Sequence, residues 1–475
     1  MAAVIPMVRE SAEQATARTA QQQTEDALAE SFESEHDDRR YVQSRKTWLI
    51  CNPESGIWHL DRKEQTLYDI RLHVRARNPS NEARLGKASV VLNVERLCRM
   101  RAGFSITEDE LDADPFILGT PDGPYDLTTG QQLDPDPELL ITKSTSVAPS
   151  FSVPTLWLRF LADAFGSDQS VIGYVQRMFG YCLTGSTREE QLLFIWGRGG
   201  NGKGVLLGVL LDIAADYARS TSTDTFLEAR NDRNKADIAV LAGKRVAIAQ
   251  ETNEGRKWDG QRVKSITGRD EIEARFLYAN SFVFRPTFKL IIASNHRPRI
   301  PNPDPSWERR MQFLPMDRRP AQPDPALKEK LREEYPQILG WLIRGAEWWH
   351  REGLMVPDVV VKASDEYLRS EDIVGLWFEE CIDTRPGADV ARKEVGASLK
   401  RWCEEMNHRA PTMHALTRWL RENRGVGQNL KRGDRPYLGI ELKAVDAFPA
   451  AATSSAPAHF ERSANSQEDD DALPF

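Results

Sequence analysis

The run Leu192-Leu193-Phe194-Ile195-Trp196 leads directly into Gly197-Arg198-Gly199-Gly200-Asn201-Gly202-Lys203-Gly204, and apolar positions at helical spacing come after it. Strand, glycine loop and helix in that order point the middle of the chain to an α/β fold of the P-loop NTPase type. The complete G-x-x-x-x-G-K pattern lets backbone N–H groups converge on phosphate oxygens while the helix N-terminus adds its positive dipole end. Gly197, Gly199, Gly200, Asn201, Gly202, Lys203 and Gly204 are therefore the expected ATP-binding residues, with Lys203 reaching the β- and γ-phosphates as a point charge. The position after the lysine normally carries Ser or Thr, whose hydroxyl coordinates Mg²⁺, and here it is Gly204. Magnesium accompanying ATP is then expected to rest on phosphate oxygens, water and a carboxylate supplied from elsewhere.

With 475 residues the chain is long enough for roughly three domains. Its formal charge is −8, but the acid is concentrated near the ends, as in Glu33–Asp38 and Glu468–Asp471, and arginine-rich stretches occupy the middle. An acidic balance therefore does not exclude a polyanionic partner. The cysteines (Cys51, Cys98, Cys182, Cys381, Cys403) are scattered and never in C-x-x-C spacing, which argues against a disulfide framework or a zinc site. No signal pattern and no apolar run of membrane-span length occurs, so a soluble protein of a bacterial host's cytoplasm, without a membrane partner, is expected.

Composition and punctuation divide the chain into seven stretches. Residues 1–40 read as a disordered or weakly helical leader, and 41–150 as a mixed α/β-helical domain of short strands and turns. Residues 151–185 form a helical linker, with two helices over Thr155–Leu183, and 186–320 form the ATPase core. After the proline-rich link Arg319–Pro325, 321–368 is a helical segment whose Trp341, Trp348 and Trp349 read as core packing. Residues 369–447 form a last folded domain and 448–475 a disordered acidic tail.

Two further apolar runs lie downstream of the loop. Lys244–Glu251 ends in an acid placed to hold Mg²⁺ or polarise the attacking water. Phe288–Asn295 ends in Asn295, which could orient water against the γ-phosphate. Trp307-Glu308-Arg309-Arg310 then offers two arginines, and an arginine presented to a neighbouring subunit's nucleotide stabilises transition-state charge.

This ordered set, with Val263–Gly268 and Asn295-His296-Arg297-Pro298, resembles the superfamily 3 helicases, specifically the phage and plasmid primase-helicase proteins related to poxvirus replicative NTPase. Trp58-His59-Leu60-Asp61, Leu111–Pro115 and Asp126–Gly130 extend the resemblance into the preceding domain, so that it covers Thr47 to Asp365. The resemblance implies a ring of identical subunits, a hexamer, hydrolysing ATP at its interfaces and moving 3′-to-5′ on one DNA strand. It also implies that Glu251 is the acidic metal or water residue, that Asn295 is the sensor, and that Arg309 or Arg310 acts in trans. Gly204 departs from the family pattern, as does Arg269, which stands where a second glycine is usual.

Alternation over Ile272–Pro286 predicts a β-hairpin. In this superfamily such a hairpin projects into the pore, which makes Lys264, Arg275, Tyr278 and Asn280 candidates for single-stranded DNA contact by charge and stacking. Helix patterns over Ala391–Met406 and Thr412–Asn423, succeeded by a basic strand-turn-strand, suggest a C-terminal winged-helix domain. Its Arg418, Arg421, Lys431 and Arg432 would meet phosphates of single-stranded or forked DNA. The last residues resemble the acidic tip of bacterial single-stranded-DNA-binding proteins. Asp470 and Asp471 would meet a basic rim while Leu473, Pro474 and Phe475 fill an apolar pocket on host replication proteins that bind such tips. The sequence thus points to an ATP-dependent replicative helicase of a phage, prophage or plasmid. A priming activity is not expected of the short leader. The alternatives are a non-unwinding ATPase acting as loader or interfering adaptor, and a packaging motor, which the lack of a paired-acid nuclease module after the core disfavours.

Overall fold

The computed structural model describes residues 24–78, 85–228, 236–251, 255–276, 280–300, 303–320, 322–429, 433 and 435–443. They divide into two compact units, one of the described residues up to 371 and one of those from 372 onward. No helix among the described residues is long and apolar enough to cross a membrane, and every cysteine is buried and free.

The first unit begins earlier than its composition suggests. Glu25–Glu35 is a helix capped by the Thr24 hydroxyl, and it fully buries Leu28, Ala29 and Phe32. The expectation of a disordered or weakly helical leader up to residue 40 fails here because three inward-facing side chains at helical spacing suffice when a sheet is present to receive them. That sheet has the order β3-β2-β1-β4, with β1 Arg39–Val42, β2 Thr47–Cys51, β3 Trp58–Leu60 and β4 Ser105–Ile106. Helices Gln65–Ala76 and Ala88–Cys98 contribute to the same core, which holds Phe32, Trp48, Ile70, Val94 and Phe104. A second, antiparallel sheet comes next, of β5 Ile117–Thr120, β6 Gly123–Asp126 and β7 Gln131–Gln132. Leu118, Tyr125 and Leu127 share a core with helices Thr155–Phe165, Gln169–Leu183 and Tyr335–Glu352, so this sheet packs against elements C-terminal to it.

The central sheet comprises β8 Leu192–Trp196, β9 Ala218–Ser222, β10 Val246–Gln250, β13 Lys289–Ser294 and β14 Met311–Pro315. All are parallel, in the order β14-β8-β13-β10-β9, and β8, β10 and β13 are apolar almost throughout because both of their faces are covered. Between β10 and β13 stands the antiparallel hairpin of β11 Ile272–Arg275 and β12 Ser281–Phe284.

Two buried cations fasten the sheet to the helix Gln169–Leu183. Arg245, just before β10, donates to the carbonyls of Leu183 and Ile117, each at 2.8 Å. Lys289, the first residue of β13, donates to Thr184 O and lies over the Tyr181 ring. Both meet the negative end of that helix. Burial lowers the Lys289 ammonium to about 7.

The second unit runs helix Ile373–Cys381, β15 Ile382–Val390, helices Arg392–Glu405 and Met413–Arg424, and β16 Tyr437–Leu442, which pairs antiparallel with β15. Trp377, Leu399, Trp402, Leu416, Leu420 and Tyr437 form its core. Most of the turn expected after the second helix pattern, residues 430–432 and 434, lies outside the described residues. A single bridge joins Gln428 to Tyr437, and the main partner of β16 is β15, a largely exposed strand without an apolar pattern.

Candidate active site

The register of the parallel sheet decides what meets at its C-terminal edge. Trp196 pairs with Ser294 and with Pro315, Gln250 pairs with Ala293 and with Ser222, and the Glu251 N–H donates to Ala293 O at 3.0 Å. The glycine loop, Asn295, Glu251, Thr223 and the segment after Pro315 therefore all leave the sheet at one edge.

Glycines shape the loop where no other residue fits. Gly202 has φ +90° and its missing Cβ would lie 2.8 Å from the Phe160 ring, while a Cβ on Gly197 would overlap the Met316 carbonyl. Asn201 is buried and donates its amide to that same carbonyl, which pins the loop to the end of β14. Lys203 opens the helix Lys203–Ala214, and its ammonium donates to Gly197 O at 2.6 Å, Asn201 Oδ1 at 2.9 Å and Asn295 Oδ1 at 2.8 Å. Burial lowers the pKa of this ammonium, and the nearby Asp317 carboxylate acts in the opposite sense. A Cβ added to Gly204, the next residue, would meet nothing within 4 Å.

Glu251 is exposed at φ +65°, and its backbone is held by the Thr223 hydroxyl, which donates to Glu251 O. Its carboxylate has no hydrogen bond or ion pair among the described residues. One free carboxylate beside a phosphate-sized loop matches what Mg²⁺ asks of a protein, since that ion keeps phosphate oxygens and water for the rest of its shell. No group of three or more His, Cys, Asp or Glu suited to a metal occurs among the described residues.

Two residues here escape a reading of the sequence. Arg319 stands beside the loop, its Nε 4.0 Å from where a Gly200 Cβ would be, and Asp317 lies near Lys203. Both come after β14, and only the non-local pairing of β14 with β8 brings them to the loop, so no local motif announces them.

Arg309 and Arg310 lie at the other edge. The Leu192 N–H donates to Arg310 O, which sets both arginines at the start of β8, five residues or about 17 Å from this chain's own glycine loop. Arg310 is buried and donates to Thr267 Oγ1 and Ser306 O, each at 3.2 Å, whereas Arg309 is exposed. Lys264 is engaged with Asp304 at 2.6 Å. Arg275 and Asn280 flank the hairpin tip; Arg275 is exposed, and Tyr278 lies outside the described residues. In the second unit Arg418 and Arg421 lie on Met413–Arg424, with Arg421 exposed. Lys431, Arg432, Asp470, Asp471, Leu473, Pro474 and Phe475 lie outside the described residues.

Residues 26–166 match the family model "D5 N terminal like", and residues 195–310 match a family of unknown function. A putative helicase of Acanthamoeba polyphaga mimivirus is 23% identical over 325 residues, covering 62% of this chain and 33% of its own length. A putative primase of African swine fever virus is 25% identical over 262 residues, covering 52% of this chain and 26% of the relative. The chain thus carries a D5 N terminal like domain and is similar to helicases and primases of large DNA viruses. It spans about a third of the length of the curated relatives it matches. The fold is similar to that of the C-terminal region of NrS-1, at a TM-score of 0.50 and 11% identity, covering 85% of this chain and 95% of that one. The segment 195–310, matched by the family of unknown function, contains the glycine loop, Glu251 and Asn295.

Proposed function

We propose that this chain is an ATP-dependent replicative DNA helicase of superfamily 3, with a P-loop core of AAA+ type, working as a ring on single-stranded DNA. The observation that carries the reading is the division of the site between the two edges of the parallel sheet. Glycine loop, Lys203, Glu251 and Asn295 share one edge, while Arg309 stands exposed at the other, out of reach of its own loop. A neighbouring subunit is the natural recipient of such an arginine; a closed ring of any size gives every site one, and six is the number that the family resemblance implies.

The chain's own residues divide the work between them. ATP displaces the Lys203 ammonium from the Gly197 and Asn201 oxygens onto the β- and γ-phosphates, and the loop N–H groups meet the same oxygens. Asn295, freed from Lys203, orients the attacking water, and Glu251 polarises it. Glu251 would hold the magnesium that accompanies ATP, and the ion would supply charge neutralisation at the phosphates. The hairpin β11–β12 meets the strand through Arg275, Asn280 and Tyr278. In the second unit the order helix, strand, helix, helix, strand supports a winged helix, with Arg418 and Arg421 facing phosphates.

Strand displacement on a forked DNA with a 3′ single-stranded arm tests the reading. Wild type unwinds it with ATP and Lys203→Ala does not. Hydrolysis stimulated by DNA without unwinding would favour the loader or adaptor, a reading that the missing hydroxyl at Gly204 supports.

A further inference from the structure

Helices Gln65–Ala76 and Ala88–Cys98 leave between them an open cleft of about 900 Å³. Asp61 fixes how its first wall begins, accepting from the N–H groups of Gln65 and Thr66 at 2.8 Å. Ile70, His73 and Val74 of that wall turn inward. On the outer side Tyr68, Arg71, Leu72 and Arg75 recur at i, i+3, i+4 and i+7, which makes one continuous stripe. Tyr68 is 50% exposed, and Leu92, from the second helix, is 54% exposed.

The cations of this region are of two kinds, those with a carboxylate partner and those, such as Lys46, Arg62, Lys87 and Arg96, with none among the described residues. Arg39, Arg40, Arg45, Arg77, Arg99 and Arg101 each pair with a carboxylate. Lys63, Arg71 and Arg75 line the cleft and have no ion pair or hydrogen-bonded side-chain partner among the described residues. Glu64 is the only acid on its walls among the described residues. Three cations without a partner among the described residues, with an aromatic ring half out in the same groove, match a chain of phosphates with unstacked bases. Leu67, Leu85, Val91 and Leu92 add apolar surface for base faces, and three cations against one acid among the described lining residues are less suited to a protein surface of ordinary mixed charge.

We propose that this cleft binds single-stranded nucleic acid, with phosphates on Lys63, Arg71 and Arg75 and a base stacked on Tyr68. The site is separate from the hairpin β11–β12 and from the second unit, and it needs no ATP hydrolysis. It is therefore testable in the full chain carrying Lys203→Ala, where neither hydrolysis nor unwinding is read.

An oligodeoxythymidine bearing 5-iododeoxyuridine is irradiated with that protein and the cross-linked peptides are identified. The expected result is a cross-link at Tyr68 that unlabelled oligonucleotide removes. Anisotropy titrations should show Arg71→Ala/Arg75→Ala binding about tenfold more weakly, with the slope of log affinity against log salt reduced by about 1.4. These side chains are exposed, so unchanged circular dichroism is expected of the variant, and Lys46→Ala on the same region should bind as the parent does. Cross-links confined to other segments, together with unchanged affinity and salt slope in the double variant, would overturn the proposal and leave the cleft to a protein partner. Removal of the Tyr68 cross-link by inorganic phosphate or ATP as effective as that by oligonucleotide would also overturn it, in favour of a small phosphate ligand.

Discussion

Adjacent arginines at the start of β14 should fail in opposite ways. The Arg310 residue is 6% exposed and its guanidinium makes two hydrogen bonds, to Thr267 Oγ1 and Ser306 O. A charged donor's hydrogen bond is worth roughly 1.5 kcal/mol at the low end of its range, so Arg310→Ala should lose about 3 kcal/mol. The contact with Glu190 at 3.6 Å adds little, because that carboxylate is 31% exposed. At roughly 2 °C per kcal/mol for a large domain, the loss is on the order of 6 °C in Tm. Arg309 is exposed, so Arg309→Ala should stay within about 0.5 kcal/mol of wild type in stability. Its ATP hydrolysis should instead fall by about 10³-fold or more if the side chain serves a neighbour's nucleotide. The assay is DNA-stimulated phosphate release, with differential scanning fluorimetry on the same samples. Mixing supplies the decisive arm. Arg309→Ala subunits keep an intact Lys203 and Lys203→Ala subunits keep an intact Arg309, so a mixture should recover hydrolysis that neither variant has alone. Failure of the mixture to recover, or an Arg310→Ala protein with wild-type Tm, would refute the reasoning.

The same geometry sets the outcome of other perturbations. Gly204→Ser adds a hydroxyl where a Cβ meets open space, so the protein should fold as wild type with a gain of a few tenths of a kcal/mol from helix propensity. Titrating hydrolysis against magnesium shows whether the added hydroxyl lowers the concentration needed, as expected. Gly202→Ala must hold φ +90° against the Phe160 ring, and should cost at least about 1–2 kcal/mol and weaken nucleotide binding tenfold or more by equilibrium titration. Lys289 is held near pKa 7 in the fold against 10.5 in the unfolded chain, so between these values the unfolded state binds the extra proton and stability rises with pH. The unfolding free energy of wild type from urea titration should therefore climb relative to Lys289→Met as pH goes from 7 to 9.5, by at most about 1.4 kcal/mol per pH unit. A constant difference between the two proteins would remove Lys289 as the cause.

The strands that carry the site are readable because burial on both faces writes them as nearly unbroken apolar runs. Leu192–Trp196, Val246–Gln250 and Lys289–Ser294 appear in the structure within a residue or two of their sequence patterns. β9, Ala-Arg-Ser-Thr-Ser, leaves no pattern because it is a sheet edge and mostly open to solvent. The order of the strands is not readable either, since parallel neighbours are joined through long crossovers and pair without local signal. That is why Arg319 and Asp317 escape notice in the sequence and why Arg309 and Arg310 cannot be told apart there. Their difference lies in Thr267, Ser306 and Glu190, of which Thr267 and Glu190 are far from them in sequence. The cleft beside Tyr68 is invisible for a related reason: it is made by two helices whose outer residues, taken singly, look like ordinary surface.

The buried pair Arg245 and Lys289 has a mechanical consequence. The two strands that end at Glu251 and Asn295 are the same two that begin at these cations, and both cations grip carbonyls at the tail of the helix Gln169–Leu183. Each strand is thus a strut of about 17–20 Å with a reactive group at one end and a bolted joint at the other. A tilt imposed on either strand by events at the phosphates cannot be absorbed at its far end, where a buried cationic side chain would have to surrender the carbonyls that stand in for water. The motion must travel into the helix, and the residues that do chemistry and those that bear load are therefore joined by one rigid member.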